Sequence, residues 1–213
     1  MRTYIIIVAL CCLSFSSCIT ILMPLIRTDN LITDDRLRGQ WENGSTIYHI
    51  QKVNESRYRL SANDLKKKNY SPMDSITDQK AYIATYSKNG LDYSWVAGLV
   101  KIDQSYYLNL SALECLDNHN EDAYDLEGTF DASNIAKVEW ISNDQVNLRF
   151  FNGEKIREII LSGRARISYE YDALFGTFSI TASSEEMEKF LGKYGNYEGL
   201  YDEKRTIHLY RKK

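Results

Sequence analysis

Few residues of this 213-residue chain are grouped in a way that could do chemistry, and the most distinctive group is cysteine: Cys11, Cys12 and Cys18 all fall in the first 18 residues, leaving only Cys115 for the rest. A disulfide framework needs cysteines spread along a domain, so none is expected. Cys115 has no nearby His or basic run to lower its pKa and reads as a buried, inert thiol. His119 lies in an acidic stretch, 117–127, whose carboxylates and imidazole are the ligand types for Ca²⁺ or Zn²⁺. No Gly stands at the sixth position of a Ca²⁺ loop and one His is thin for Zn²⁺, so the stretch reads as a solvated loop and no metal is expected. His49 and His208 fall in strand-like runs and read as surface or satisfied core residues. The adjacent carboxylates Asp34-Asp35, Glu185-Glu186 and Asp202-Glu203 are of the kind found on loops and helix starts. No G-x-S-x-G, G-x-x-x-x-G-K-[ST], G-x-G-x-x-G or H-E-x-x-H is present. The expectation is a non-enzymatic protein with no catalytic residues and no cofactor.

Cys18 is different, because of what precedes it. The chain opens Met1-Arg2-Thr3, continues through an apolar run of about ten residues from Tyr4 to Leu13, and then reads Ser14-Phe15-Ser16-Ser17-Cys18. A positive end, an apolar segment and small residues before a processing point make a secretory signal peptide. The Ser16-Ser17-Cys18 ending resembles the lipobox of bacterial lipoproteins, with Phe15 where Leu is usual. That resemblance implies diacylglycerol on the Cys18 thiol, cleavage before it, and partnership with a membrane through the N-terminal lipid. Residue 19 is Ile and no acidic run follows Cys18, so the resemblance further implies an envelope protein on the outer membrane, with its body in the periplasm. The alternative is an uncleaved anchor, since residues 4–26 stay largely apolar over about the ~20 residues of a span. The expected organisation is a signal peptide over 1–17, a lipidated Cys and tether over 18–36, and one β-rich domain over 37–213.

Composition restricts the partners. A net charge of −3 leaves no broad cationic surface for a phosphate backbone, so nucleic acid is not expected. Hydrophobic residues at 44% with charged residues at 26% indicate a folded body rather than disorder or many spans. With 16 Tyr and 2 Pro, strands should dominate.

Alternation and turn residues place those strands. Asn43-Gly44, Asn89-Gly90 and Asn143-Asp144 each sit between strand-like runs and predict hairpins. Arg57 to Ala62 alternates as a half-buried strand, residues 63–79 with Lys66-Lys67-Lys68 form a long loop, and Trp95 to Val100 is apolar on both faces, as in a central strand. Ile156, Ile159 and Ile160 switch to helical spacing over Glu154 to Leu161. Arg164 to Tyr171 and Phe175 to Thr181 return to strand. Ser183 and Glu186 have capping-box spacing before a second helix, and Thr206 to Arg211 is the last strand. Without βαβ spacing, the fold class is mainly β: an antiparallel meander forming a barrel or sandwich with two short helices.

Gly39-x-Trp41 at the first strand, the meander, the late helix and the final strand together resemble a lipocalin-type barrel over most of residues 37–213. The resemblance implies that Trp41 closes one barrel end with an Arg of the last strand, Arg211 or Arg205, packed on its ring. It also implies a barrel holding an apolar or amphipathic small ligand. The alternative is a filled core and a structural lipoprotein that docks an envelope protein through exposed aromatics.

Lipidation is tested directly. In bacteria fed an alkyne fatty acid, the full chain should take up label and Cys18→Ala should not. Equal labelling and equal mass of the two proteins would end the lipoprotein reading.

Overall fold

The computed structural model describes residues 19–22, 25, 29–53, 80–88, 91–113, 134–174 and 176–212. Cys18, Cys115, His119, the run 57–62, the loop 63–79, the Asn89-Gly90 turn and the acidic stretch 117–127 lie outside them.

Eight antiparallel strands close into a barrel: β3 (Gly39–Asn43), β4 (Thr46–Lys52), β5 (Tyr82–Lys88), β6 (Leu91–Ile102), β7 (Ser105–Leu113), β8 (Asn134–Ser142), β9 (Gln145–Phe150) and β12 (Ile207–Arg211). Successive strands pair from β3 to β9, β12 pairs with β9 on one side and β3 on the other, and the ring is complete. The fold is thus a closed barrel rather than a sandwich, and its form is that of a lipocalin-like barrel. Turns follow the local chemistry. Asn43 and Thr46 face each other across a turn in which Gly44 has φ +58°, and Ser142 pairs with Gln145 across Asn143-Asp144.

Alternation gives the barrel wall two apolar faces. Ala97 and Leu99 of β6, Leu108 of β7 and Ala136 and Val138 of β8 point inward, with Trp41, Tyr82, Val146 and Leu209. The intervening Val100, Tyr107 and Ile135 point outward into a second core, which explains why the Trp95 to Val100 run is apolar on both faces. That outer core is covered by α1 (Gly153–Leu161), α2 (Ser184–Tyr194) and a small sheet, in which β11 (Thr177–Ile180) lies between β1 (Ile19–Ile21) and β10 (Tyr169–Asp172). Helix α1 buries Ile156, Ile159 and Ile160, and Asn152 caps it by accepting from the Lys155 N–H at 3.1 Å. Helix α2 buries Met187, Phe190 and Leu191 behind a complete Ser183–Glu186 capping box.

Two expectations need correction. The described residues between 19 and 36 are not a tether outside the domain. Ile19–Ile21 pairs in parallel with Phe178–Ile180, and Leu25 is buried with its N–H donated to the Oδ1 of fully buried Asn109 at 2.9 Å. Asn30 holds Glu188 of α2, and β2 (Leu31–Ile32) extends the edge of β6 at Val100 and Leu99. The described parts of the segment form a strap packed on the outer layer and the barrel wall, invisible to periodicity because Ile21, Leu25 and Leu31 follow no single spacing. Second, Arg164 to Tyr171 is strand only from Tyr169, and the strand does not stop at Tyr171 but runs to Asp172. Ala165 donates to the Ile159 carbonyl, and the Tyr194 hydroxyl donates to the Arg164 carbonyl at 2.6 Å, so helices rather than a strand satisfy residues 164 and 165. The barrel sheet is antiparallel throughout, as expected, and parallel pairing occurs only between β1 and β11 in the small outer sheet.

The end of α2 shows how closely the two layers meet. Gly195 has an ordinary helical backbone, φ −63°, but a Cβ there would collide with the Tyr107 hydroxyl of β7. Gly195→Ala is expected to lower stability by about 1–3 kcal/mol through overpacking. Gly192→Ala should raise stability by a few tenths of a kcal/mol up to ~1, because a mid-helix Gly is replaced and only the Asp103 carboxylate, at 3.2 Å, must shift. Urea denaturation of the two variants beside the parent distinguishes these signs.

Candidate functional site: a barrel sealed at one end

One end of the barrel is shut by residues from both ends of the domain. Trp41 is 0% exposed and donates its Nε1–H to the Leu37 carbonyl at 2.8 Å. That carbonyl is presented by a 3-10 turn, Asp35–Leu37, which lies across the barrel end and buries Leu37. Arg211 pairs with Trp41 across the β3–β12 seam and sets its guanidinium 4.3 Å from the Trp41 ring centre. Its fork donates to the carbonyls of Arg38 at 2.8 Å and Arg36 at 2.6 Å. A planar cation that both stacks on indole and donates in a fork can satisfy both demands, as an ammonium cannot. Gly39 also becomes intelligible. Its φ of +121° suits glycine, and a Cβ would lie 2.9 Å from Arg211 Nη1.

A second stack lies beside the first. Trp140 stands 6.4 Å from Trp41, and the Arg36 guanidinium lies 4.4 Å from its centre. Arg36 is held by Asp34, whose carboxyl is kept below the usual range chiefly by accepting from that guanidinium. Tyr82 reaches from the barrel interior to the plug, its hydroxyl accepting from the Asp34 N–H at 2.7 Å and donating to the Asp34 carbonyl at 3.0 Å. Trp41 and Arg211 are therefore brought together, whereas Arg205 lies over Phe150 at 5.6 Å, away from the seal. Sequence reasoning misses Arg36 and Tyr82, and it reads Asp34 as a loop or helix-start carboxylate without its partners. Asp34 followed by Arg36 is a short-range pair that could mark a cap, but lack of a period places both residues in the expected tether.

Among the described residues the other end carries no such seal. A cavity of about 230 Å³ extends into it, floored by Ile50, Ala84, Leu108, Leu148 and Leu209. Tyr48, Tyr86 and Trp95 line it further, with Asn134 the one amide on the wall. The Tyr48 and Tyr86 rings lie 5.2 Å apart and Tyr93 stacks on Tyr86 at 4.9 Å, forming an aromatic ladder over β4, β5 and β6. Burial raises the Tyr48 and Tyr86 hydroxyls above the ordinary phenol value, so both are neutral hydrogen-bonding groups at pH 7. The alternation Tyr82, Ala84, Tyr86, with one small residue, is the legible signal for space inside the wall.

The remaining candidates are dispersed. His49 and His208 are exposed on β4 and β12, and His208 Nδ1 lies 2.8 Å from Asn147 Oδ1. The carboxylates of Asp34, Glu186 and Asp202 cap helical turns. Among the described residues no group of His, Cys, Asp and Glu could hold a metal ion. Outside the barrel, Arg149 bridges Glu139 at 3.0 Å and Glu198 at 2.7 Å beneath Tyr201. Hydrogen bonding to Arg149 keeps the Glu198 carboxyl low, and burial drives the Tyr201 hydroxyl up, leaving it a donor to the Gly195 carbonyl at 2.7 Å. This cluster clamps the outer layer to the wall. No family model, curated protein or solved structure matches the chain.

Trp41→Ala should destabilise by about 3–5 kcal/mol, since it empties the sealed end. Thermal melting followed by the fluorescence of Trp95 and Trp140 reads the loss. An unchanged melting temperature, or free iodide quenching of Trp41 in the folded protein, would contradict the seal.

Proposed function

We propose that this is a lipid-anchored envelope protein, without enzymatic activity, whose barrel takes one apolar or amphipathic small molecule. The observation that carries the binding part is the one-ended apolar cavity. An eight-stranded barrel has an interior that side chains either fill or leave open for one small ligand. Here, among the described residues, side chains fill the half nearest Trp41 and leave a cavity in the other. The cavity is smaller than the ~300–1,000 Å³ of drug-sized sites, so the ligand is small, or it inserts one apolar end and leaves a polar end at the mouth. The aromatic ladder and the Asn134 amide suit the second arrangement, offering π faces, phenol hydroxyls and an amide above an apolar floor.

The anchoring part rests on the lipobox-like Ser16-Ser17-Cys18. The fold favours it over the uncleaved anchor, because Ile21 and Leu25 are in the outer core and so are not free to enter a bilayer. The apolar run left for a membrane, residues 4–18, is shorter than the ~20 residues of a span. Attachment through an outer-membrane lipid with the body in the periplasm is the corresponding localisation. The second reading, an interaction protein that docks an envelope partner, would be favoured if the cavity proves closed to ligands.

Binding is tested with N-phenyl-1-naphthylamine, an apolar fluorophore. The parent should bind it with enhanced emission, and Ala84→Phe, which places a ring in the cavity, should weaken binding by at least about tenfold, or 1.4 kcal/mol, at an unchanged near-UV spectrum. No binding by the parent, or equal binding by the variant, rejects the cavity as a ligand site. Native mass spectrometry of the purified protein then shows whether a lipid or a protein partner copurifies.

A further inference from the structure

The described chain begins in a strand, and the place where it does so is unusual for this surface. Ile19 pairs with Phe178, and Phe178 pairs with Tyr171, so one row crosses the small outer sheet from the first described residue to its far edge. Two strand spacings of about 4.8 Å put the backbones of Ile19 and Tyr171 roughly 10 Å apart. No residues remain between Cys18 and β1 to act as a flexible linker. Whatever holds Cys18 therefore also holds this end of the sheet.

That end carries exposed apolar side chains beside the Glu170 and Asp172 carboxylates. Among the described residues eight large hydrophobic side chains are exposed, and Tyr171 and Leu174 stand at this end, with Tyr169 two residues back along β10. Leu174 is the extreme, 85% exposed on the turn between β10 and β11. Its exposure is built in: the Asp172 carboxylate accepts from the Leu174 N–H at 2.8 Å and sets the turn. Tyr169 and Tyr171 both lean on the Phe178 ring, at 5.2 Å and 6.3 Å, which gives the edge a rigid aromatic base. Arg157 of α1 stacks 4.9 Å from the Tyr171 centre and donates to its hydroxyl at 3.0 Å. Amphipathic aromatics with a guanidinium behind them and an aliphatic tip in front are the residues that partition to a headgroup boundary.

We propose that the Tyr171–Leu174 end of the outer sheet, backed by Arg157, is seated on the bilayer surface, with Leu174 in the boundary between headgroups and acyl chains. This deepens the lipoprotein reading and rests on it. The acyl chains supply the affinity, and the missing linker forces the neighbouring sheet end to headgroup level. The anchor and the patch together hold the domain in one orientation, where a lipid on a flexible tether would let it tumble.

The test uses the full chain, produced in bacteria with its own N-terminal segment and reconstituted in phosphatidylethanolamine–phosphatidylglycerol vesicles with brominated acyl chains. Leu174→Trp adds a reporter at the tip, and Tyr210→Trp adds one on β12, which takes no part in the outer core. Each reporter is read as the emission its variant adds to that of the parent. The signal added by Leu174→Trp should fall roughly twofold in brominated vesicles, since interfacial side chains sit about 5–10 Å into the boundary, while the signal added by Tyr210→Trp should not change. The same samples are assayed for fatty-acid label at Cys18. Label with quenching at 174 alone supports the proposal. Label with no quenching at 174, or equal quenching at both positions, overturns the seated orientation and leaves the lipoprotein reading intact. Absence of label overturns that reading and the proposal with it.

Discussion

The guanidinium of Arg211 over the indole of Trp41 is the contact on which the barrel depends. An eight-stranded barrel has to join its first strand to its last, and here the seam is short, with only Trp41–Arg211 and Glu42–Tyr210 in register between β3 and β12. Backbone pairing of that length is weak, so side chains complete it. Arg211 stacks on the ring of the first strand and donates to carbonyls at positions 36 and 38, drawing the entering chain over the barrel end. One residue thereby joins the strands, orders the 3-10 plug and caps the core.

The consequences run to the other end of the molecule. With one mouth blocked by Leu37, Trp41 and their neighbours, the interior space left among the described residues lies toward the opposite end, and its floor is the apolar layer just above the seal. Under the proposed binding reading, a ligand would meet a dead end there, with its apolar part on that floor and any polar part by Asn134 and the tyrosine ladder. The proposed affinity would then depend on the seam staying closed, because a breathing barrel would admit water to the same surface.

The strands opposite that seam carry a second load. β6, β7 and β8 face the barrel interior with alternate residues and the outer core with the rest, so the outer layer and the barrel share a wall. Asn109, fully buried in that wall, accepts from the Leu25 N–H and pins the N-terminal strap between the layers. The strap then supplies both β2 and the plug. The N-terminal segment is consequently connected, through a few residues, both to the surface where the chain emerges and to the sealed end of the barrel.

Much of this architecture was legible in the residues. The strand-like runs of β4 to β9, turn residues at Asn43-Gly44 and Asn143-Asp144, isoleucines at helical spacing in α1 and the Ser183–Glu186 box each encode structure through contacts a few residues apart, and each is present. Trp41 could be singled out, and its partner narrowed to Arg211 or Arg205, through the lipocalin resemblance; the structure selects Arg211. Tertiary structure alone decided what has no local signature. The strap of residues 19–36 lacks a period because each of its apolar residues answers to a different neighbour: Ile21 to the outer sheet, Leu25 to Asn109 and Leu31 to β6. The choice of barrel over sandwich lies in the β12–β3 pairing of residues about 170 positions apart. The empty half of the barrel is likewise beyond a sequence pattern, since alternation says which side chains point inward but not whether their volumes fill the space between eight strands.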